Sequence, residues 1–264
     1  MDKVLITGGA GFIGSRLAQE LSRDHEIHIL DNMHPQVQDA NPANINRIKD
    51  IGANLHVTDI RNAEAVSRIV ANVQPDIIYH FAAETGTGQS FDLIRQYTEV
   101  NVNGTVNLID AIKAMPVAPK RVVLAGSRSV YGEGACVDEA GQLCTAQARL
   151  DTDLETGDYA PKNTLGVSLK PVASSAETPV MPASIYASTK LMQEYLLSQA
   201  FWGSSIDVPV LRLQNVFGVG QSLNNPYTGV LSIFCRQIME GKVLNIYEDG
   251  DITRDFVDVR DVVR

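Results

Sequence analysis

Short apolar runs that stop at glycine or aspartate alternate with stretches of helical spacing through the first half of the chain. Residues 3–7, KVLIT, are β-branched and apolar and end at glycines, which predicts a buried parallel strand. From Phe12 to Leu21 apolar residues recur at helical spacing, which predicts a helix. EIHIL (Glu26–Leu30) is a second strand ending at Asp31, and NLHVT (Asn54–Thr58) a third ending at Asp59. DIIYHFA (Asp76–Ala82) and RVVLAG (Arg121–Gly126) are the fourth and fifth. Between them the pattern predicts a weak helix near Ile45–Ile51, a helix over Ala63–Val73 and a long helix over about Phe91–Ala114. This alternation predicts an α/β fold, a doubly wound parallel sheet of Rossmann type. Ligands of such sheets sit at the carboxyl ends of the strands, where Thr7, Asp31, Asp59, Ala82 and Ser127 fall.

Residues 133–183 break the rhythm. They are rich in Ala, Thr, Asp, Pro and Ser, with no sustained period. They read as a long excursion with little regular structure: a flap near the active site, an interface or a disordered stretch. Regularity returns at Ser184, an N-cap for a helix through about Trp202. A strand, DVPVLRL (Asp207–Leu213), a loop rich in Gly, Asn and Pro (215–229) and a helix around Val230–Glu240 follow.

The glycine turn after the first strand gives this pattern a ligand. Gly9, Gly11 and Gly14 satisfy G-x-G-x-x-G, and Gly8, Gly11 and Gly14 satisfy a G-x-x-G-x-x-G reading. Either serves one need: a tight turn, close backbone approach to a pyrophosphate and a helix N-terminus aimed at the anion. Asp31 lies twenty residues after Gly11, where an acid grips the adenine ribose hydroxyls. A carboxylate there repels a 2′-phosphate, so the expected cofactor is NAD rather than NADP.

Composition narrows the partners. The chain has 264 residues, 44% of them hydrophobic, enough to bury a full core. Its net charge of −9 and the absence of a basic run argue against nucleic acid or an anionic membrane surface. No apolar stretch reaches membrane-spanning length, and the N-terminus enters a strand at once, so no signal peptide is expected. Cys136, Cys144 and Cys235 form no C-x-x-C pattern, which reads as a reduced cytoplasmic protein without a metal site.

The proton chemistry lies downstream, in YASTK. Tyr186 and Lys190 are four apart at the start of a helix and share a face. A neighbouring ammonium and a cationic nicotinamide are expected to lower the phenol from its usual value of about 10. GSRSVYG (Gly126–Gly132) sets Ser127 just past the fifth strand. Ser127, Tyr186 and Lys190 then form a proton relay beside the nicotinamide.

TGGAGFIG, Asp31, Asp59-Ile60, HFAA (His80–Ala83), NVNGT (Asn101–Thr105), SRSVYG and YASTK together resemble the extended short-chain dehydrogenases/reductases. Within them the chain is similar to NAD-dependent sugar-nucleotide epimerases of the UDP-galactose 4-epimerase type. HFAAETGTGQS and QNVFGVGQSLNNPYTG also resemble epimerases of dTDP-linked 6-deoxyhexoses. The resemblance implies a cofactor site of Gly8, Gly11, Phe12, Ile13, Gly14, Asp31, Asn32, Asp59, Ile60, Phe81, Ala82, Ala83, Asn101, Tyr186 and Lys190. It implies Glu84, Ser127, Asn215 and Arg254 as substrate contacts, the last at a phosphate. It divides the chain into an NAD-binding domain over 1–213 and part of a smaller substrate domain over 214–264. It also implies a homodimer built from the helices near Phe91–Ala114 and Ser184–Trp202. Leu191, Tyr195, Leu196 and Phe201 either serve that interface or pack on the sheet. Two departures stand out. The interval from Tyr131 to Tyr186 is long, and the chain stops at Arg264 inside a segment that family members continue past. The expected activity is inversion of carbon 4 of a UDP- or dTDP-hexose. Family dehydratases carry Asp-Glu after the catalytic hydroxyl, where this chain has Arg128 and Ser129. A net dehydrogenase or reductase, or a non-catalytic NAD-binding protein, are the alternatives.

Overall fold

The structure is a computed structural model that describes residues 1–35, 42–222 and 229–264. Its first half runs β1 (Lys3–Thr7), α1 (Phe12–Leu21), β2 (Glu26–Asp31), α2 (Pro42–Asp50), β3 (Asn54–Val57), α3 (Ala63–Val73) and β4 (Ile77–His80). After a 3-10 turn at Gln89–Phe91 come α4 (Ile94–Tyr97), a π-helical stretch (Thr98–Asn103), α5 (Gly104–Lys113) and β5 (Arg121–Ser127). Later elements are β6 (Ala135–Val137), β7 (Leu143–Thr145), α6 (Asp151–Glu155), β8 (Lys170–Pro171), α7 (Ile185–Ala200), β9 (Val210–Leu213) and β10 (Asn215–Phe217). The described chain closes with α8 (Val230–Met239), β11 (Phe256–Asp258) and α9 (Val259–Val262).

Six parallel strands make the main sheet, in the order β3-β2-β1-β4-β5-β9. This is the doubly wound parallel sheet that the alternation of strand and helix predicts. Successive side chains of a strand point to opposite faces. Val4 and Ile6 of β1 pack with Ile27 and Ile29 of β2 and with Leu17 and Ala18 of α1. Leu5 and Leu30 face the other way, with Ile78, Leu124, α3, α5 and α7. Both faces are covered, which is why the strand sequences are apolar throughout rather than alternating. Each fully buried Leu or Ile here contributes about 1.5–3 kcal/mol.

Three expectations are corrected, and one left open is narrowed. The long helix over Phe91–Ala114 is broken, because Tyr97 and Asn101 turn their polar groups to residues 84–86 and the backbone widens to a π turn between them. Residues 215–217 are strand rather than loop, paired in parallel with residues 256–258. The excursion over 133–183 has a three-stranded antiparallel sheet, β7-β6-β8, over a small cluster of Cys136, Ala146, Leu169 and Cys144. Of the four positions on α7 read as interface or sheet packing, Leu191 packs on Val130 and Tyr131, and Phe201 and Leu196 pack in the core. Only Tyr195 stays exposed.

Candidate active site

The carboxyl edge of the sheet opens into a cleft of about 470 Å³. Gly8, Gly11, Phe12, Ile13 and Gly14 line one end of it, at the N-terminus of α1. Gly11 is the N-cap and has no side chain to satisfy the first-turn N–H groups, which leaves them free for an anion. Gly8 is at φ +69°, and a Cβ on it would stand 2.7 Å from the backbone of Phe81 and Ala82. Gly9 packs under Ile29 instead, so the cradle follows the Gly8-Gly11-Gly14 reading.

Asp31 ends β2 at the same cleft. Its carboxylate accepts the Ala10 N–H at 3.0 Å and the Met33 N–H at 2.8 Å. Burial raises its pKa above the usual carboxylate value, against those two hydrogen bonds. Each oxygen keeps a lone pair for a ribose hydroxyl. Asn32, Asp59, Ile60, Phe81, Ala82 and Ala83 complete this end. The Asp59 carboxylate is held by the Arg61 side chain at 2.8 and 3.0 Å.

Ser127 closes β5 and caps the 3-10 turn Arg128–Tyr131. Its Oγ accepts the Ser129 N–H at 3.1 Å and the Ser129 hydroxyl at 2.8 Å, which leaves its own proton to donate. Ser184 caps α7 by accepting the Ala187 N–H at 3.1 Å. The helix then carries Tyr186 and Lys190 into the cleft, one turn apart. Burial pushes the Tyr186 phenol above its ordinary value, and a hydrogen bond with Ser127 opposes this. The expected lowering of Tyr186 by the Lys190 ammonium is therefore not met in the chain by itself. Burial depresses Lys190 to about 8, against the attraction of Glu194.

A buried polar chain holds Lys190, and the sequence reading missed it. Lys190 donates to Gln193 Oε1 at 2.7 Å, and Gln193 Nε2 donates to Thr105 Oγ1 at 2.9 Å. Thr105 donates to the Asn101 carbonyl at 2.6 Å, and His80 Nε2 lies 2.9 Å from Thr105 Oγ1 and 3.2 Å from Gln193 Nε2. His80 Nδ1 lies 2.7 Å from Thr7 Oγ1. Burial, with the Lys190 charge nearby, depresses His80 to about 3 and keeps it neutral. HFAA and NVNGT contain three of these residues, His80, Asn101 and Thr105; Gln193 was signalled only by its place one turn after Lys190.

Glu84 and Asn215 reach the cleft. Glu84 accepts from Gln96 at 2.9 Å, and Asn215 donates to the Asp255 carbonyl at 3.0 Å. Two expected contacts are not brought there. Asn101 is fully buried behind the wall, tied to the Glu84 backbone at 2.7 Å and to Thr189 at 2.9 Å. Arg254 is exposed, outside the cleft lining, and donates to the Thr253 carbonyl. Arg128, not expected, lines the cleft beside Ser127.

A glycine turn suited to a dinucleotide at one end of the cleft, and Ser127, Tyr186 and Lys190 at the other, are the arrangement of a nicotinamide-dependent enzyme that acts on alcohols. The model of the NAD dependent epimerase/dehydratase family matches residues 4–264, and the chain belongs to that family. It is 39% identical over 265 residues to dTDP-L-rhamnose 4-epimerase of Burkholderia thailandensis, covering 98% of this chain and 70% of that one. UDP-glucuronic acid 4-epimerase of Bacillus cereus, solved with UDP-glucuronic acid and NAD, is similar at TM-score 0.74 and 25% identity, covering 99% of this chain and 70% of that one. UDP-glucose 4-epimerase of Thermus thermophilus, solved with NAD, is similar at TM-score 0.72 and 26% identity, covering 99% and 72%.

Proposed function

We propose that this chain inverts carbon 4 of a nucleoside-diphosphate hexose, a UDP- or dTDP-sugar, through a transient 4-keto sugar, with NAD as its cofactor. The observation that carries the reading is the meeting of Ser127, Tyr186 and Lys190 in one cleft with the Gly8-Gly11-Gly14 cradle. The residues present fit NAD: free first-turn N–H groups for the pyrophosphate and an ionisable acid, Asp31, for the ribose. When bound, NAD would supply reversible hydride transfer at carbon 4.

Tyr186 takes the proton of the 4-hydroxyl and gives it back. Ser127 donates its free proton to the phenolate or the substrate oxygen, an orientation set by Ser129. Lys190 spends one N–H on Gln193 and keeps two for the cleft. Arg128 and Ser129 supply no acid-base pair for removal of water, which supports epimerisation over dehydration. Residues 1–213 serve as the cofactor domain and residues from 214 onward belong to the substrate lobe, with Asn215 on the sugar diphosphate. Arg254 meets a phosphate only after moving from its exposed position.

The test is incubation with a panel of UDP-, dTDP- and GDP-hexoses and no added cofactor. Interconversion of two 4-epimers is expected. Stoichiometric NADH with a keto product, or no change, overturns the reading. A homodimer across α5 and α7 belongs to the same proposal, supported by exposed Met192 and Tyr195 on α7 and Ile94 near the neighbouring helix. A mass of 28.7 kDa by light scattering at micromolar concentration would remove it. The three cysteines are unpaired, which supports a cytoplasmic location. No described helix is long and apolar enough to cross a membrane.

A further inference from the structure

Arg128 follows the hydroxyl that must touch the reacting oxygen, and it lines the same cleft. It is half-buried, yet among the described residues no carboxylate or carbonyl accepts any of its N–H groups. Other charged groups of the cleft are engaged: Asp31 with backbone, Asp59 with Arg61, Glu84 with Gln96, Lys190 with Gln193. Glu133, whose charge acts on Arg128, is itself bonded to Arg149 at 3.3 Å. Burial and the Arg254 charge both work against the Arg128 cation, and Glu133 only partly offsets them. A guanidinium kept in such a place without a protein partner is an open set of donors, and none of its nitrogens is sealed from the cleft.

We propose that Arg128 is the specificity-determining residue for the hexose: its guanidinium donates to an acceptor oxygen, hydroxyl or carboxylate, on the sugar beside the reacting carbon. This rests on the epimerase reading for the identity of the sugar, and it goes beyond the proton relay. Placement favours the hexose over the nucleotide: Arg128 lines the cleft together with Ser127, Tyr186 and Lys190, the groups that would meet carbon 4. A site built to hydrogen-bond a substrate oxygen also rejects analogues that lack it, because the buried donors are then left unpaired.

The experiment measures binding and turnover separately, in NAD-loaded parent, Arg128→Leu and Arg128→Lys. The probes are dTDP, UDP, dTDP-L-rhamnose, UDP-glucose and UDP-glucuronic acid. The parent is expected to bind at least one nucleotide sugar more tightly than the bare nucleotide. Arg128→Leu should weaken that sugar by about ten- to a hundredfold, the scale of a hydrogen bond to a charged group, and leave dTDP and UDP within about twofold. Arg128→Lys keeps the cation and loses the fork, so it should lose several-fold of the preference. If Arg128→Leu does not fold or retain NAD, the lysine variant decides. Equal weakening of nucleotide and sugar, or an unchanged sugar preference, overturns the proposal. A parent without any sugar preference does so too. If the preference depends on Arg128 but no sugar is interconverted, Arg128 stands and the epimerase reading falls.

Discussion

Tyr186 is buried in a way that opposes its own ionisation, so the protein without cofactor should hold it as a neutral phenol. Titration of the cofactor-free protein, as the ultraviolet difference between parent and Tyr186→Phe, should place this phenol above its ordinary value of about 10. A value well below that would mean that Lys190 alone suffices. Tyr186→Phe keeps the ring and its edge-to-face contact with Tyr97 at 6.3 Å, so folding and NAD binding should survive. Turnover should fall by about a hundredfold or more. Near-parental turnover would move the base elsewhere. His80 gives a second test. Its folded value, about 3, lies below the unfolded value of 6.5. The unfolded chain therefore binds a proton that the fold refuses, and stability is lost as pH falls from about 6.5 toward 3. The loss is about 1.4 kcal/mol per pH unit. Between pH 7 and 5 the parent should lose roughly 2 kcal/mol more unfolding free energy than His80→Gln. Parallel pH profiles in urea melts would refute this.

Elements governed by their own periodicity were legible; elements governed by distant partners were not. Helix α3 falls on Ala63–Val73 as expected, because its apolar face is regular and Asn62 caps it through Ala65 N–H at 3.0 Å. The spacing of Tyr186 and Lys190 was legible for the same reason, since both lie on one helix. The π turn at Thr98–Asn103 was not, because it depends on bonds from Tyr97 and Asn101 to a loop more than ten residues earlier. β10 was hidden in a glycine-rich stretch because its partner lies some 40 residues downstream. Gln193 escaped notice because its role is set by Thr105 and His80, on two other elements. Arg128 was read only as the lack of a dehydratase acid.

At the scale of the whole molecule, residues 133–180 leave the Rossmann sheet and return to nearly the same point. The Met181 N–H donates to the Val130 carbonyl at 2.8 Å, so the two ends of the excursion are zipped together. Gly132, at φ +59°, permits the approach: a Cβ there would meet the Met181 carbonyl oxygen. Meanwhile β5 and β9 pair directly although the excursion separates them in sequence. The length of the loop closed by the Val130–Met181 bond enters stability through ring closure, which grows as the logarithm of length. Each doubling costs about 0.6 kcal/mol, so replacing residues 133–180 by a four-residue linker should return about 2 kcal/mol of closure entropy. Against this stands the loss of contacts such as Arg149 with Glu248 at 2.7 Å. The shortened chain should keep NAD affinity and melt within several degrees of the parent; loss of cooperative melting would show that the excursion is part of the core. If it melts as expected, the zipped Val130–Met181 neck is a splice point, where this chain can change length by tens of residues while the sheet and the Ser127–Tyr186 register stay the same.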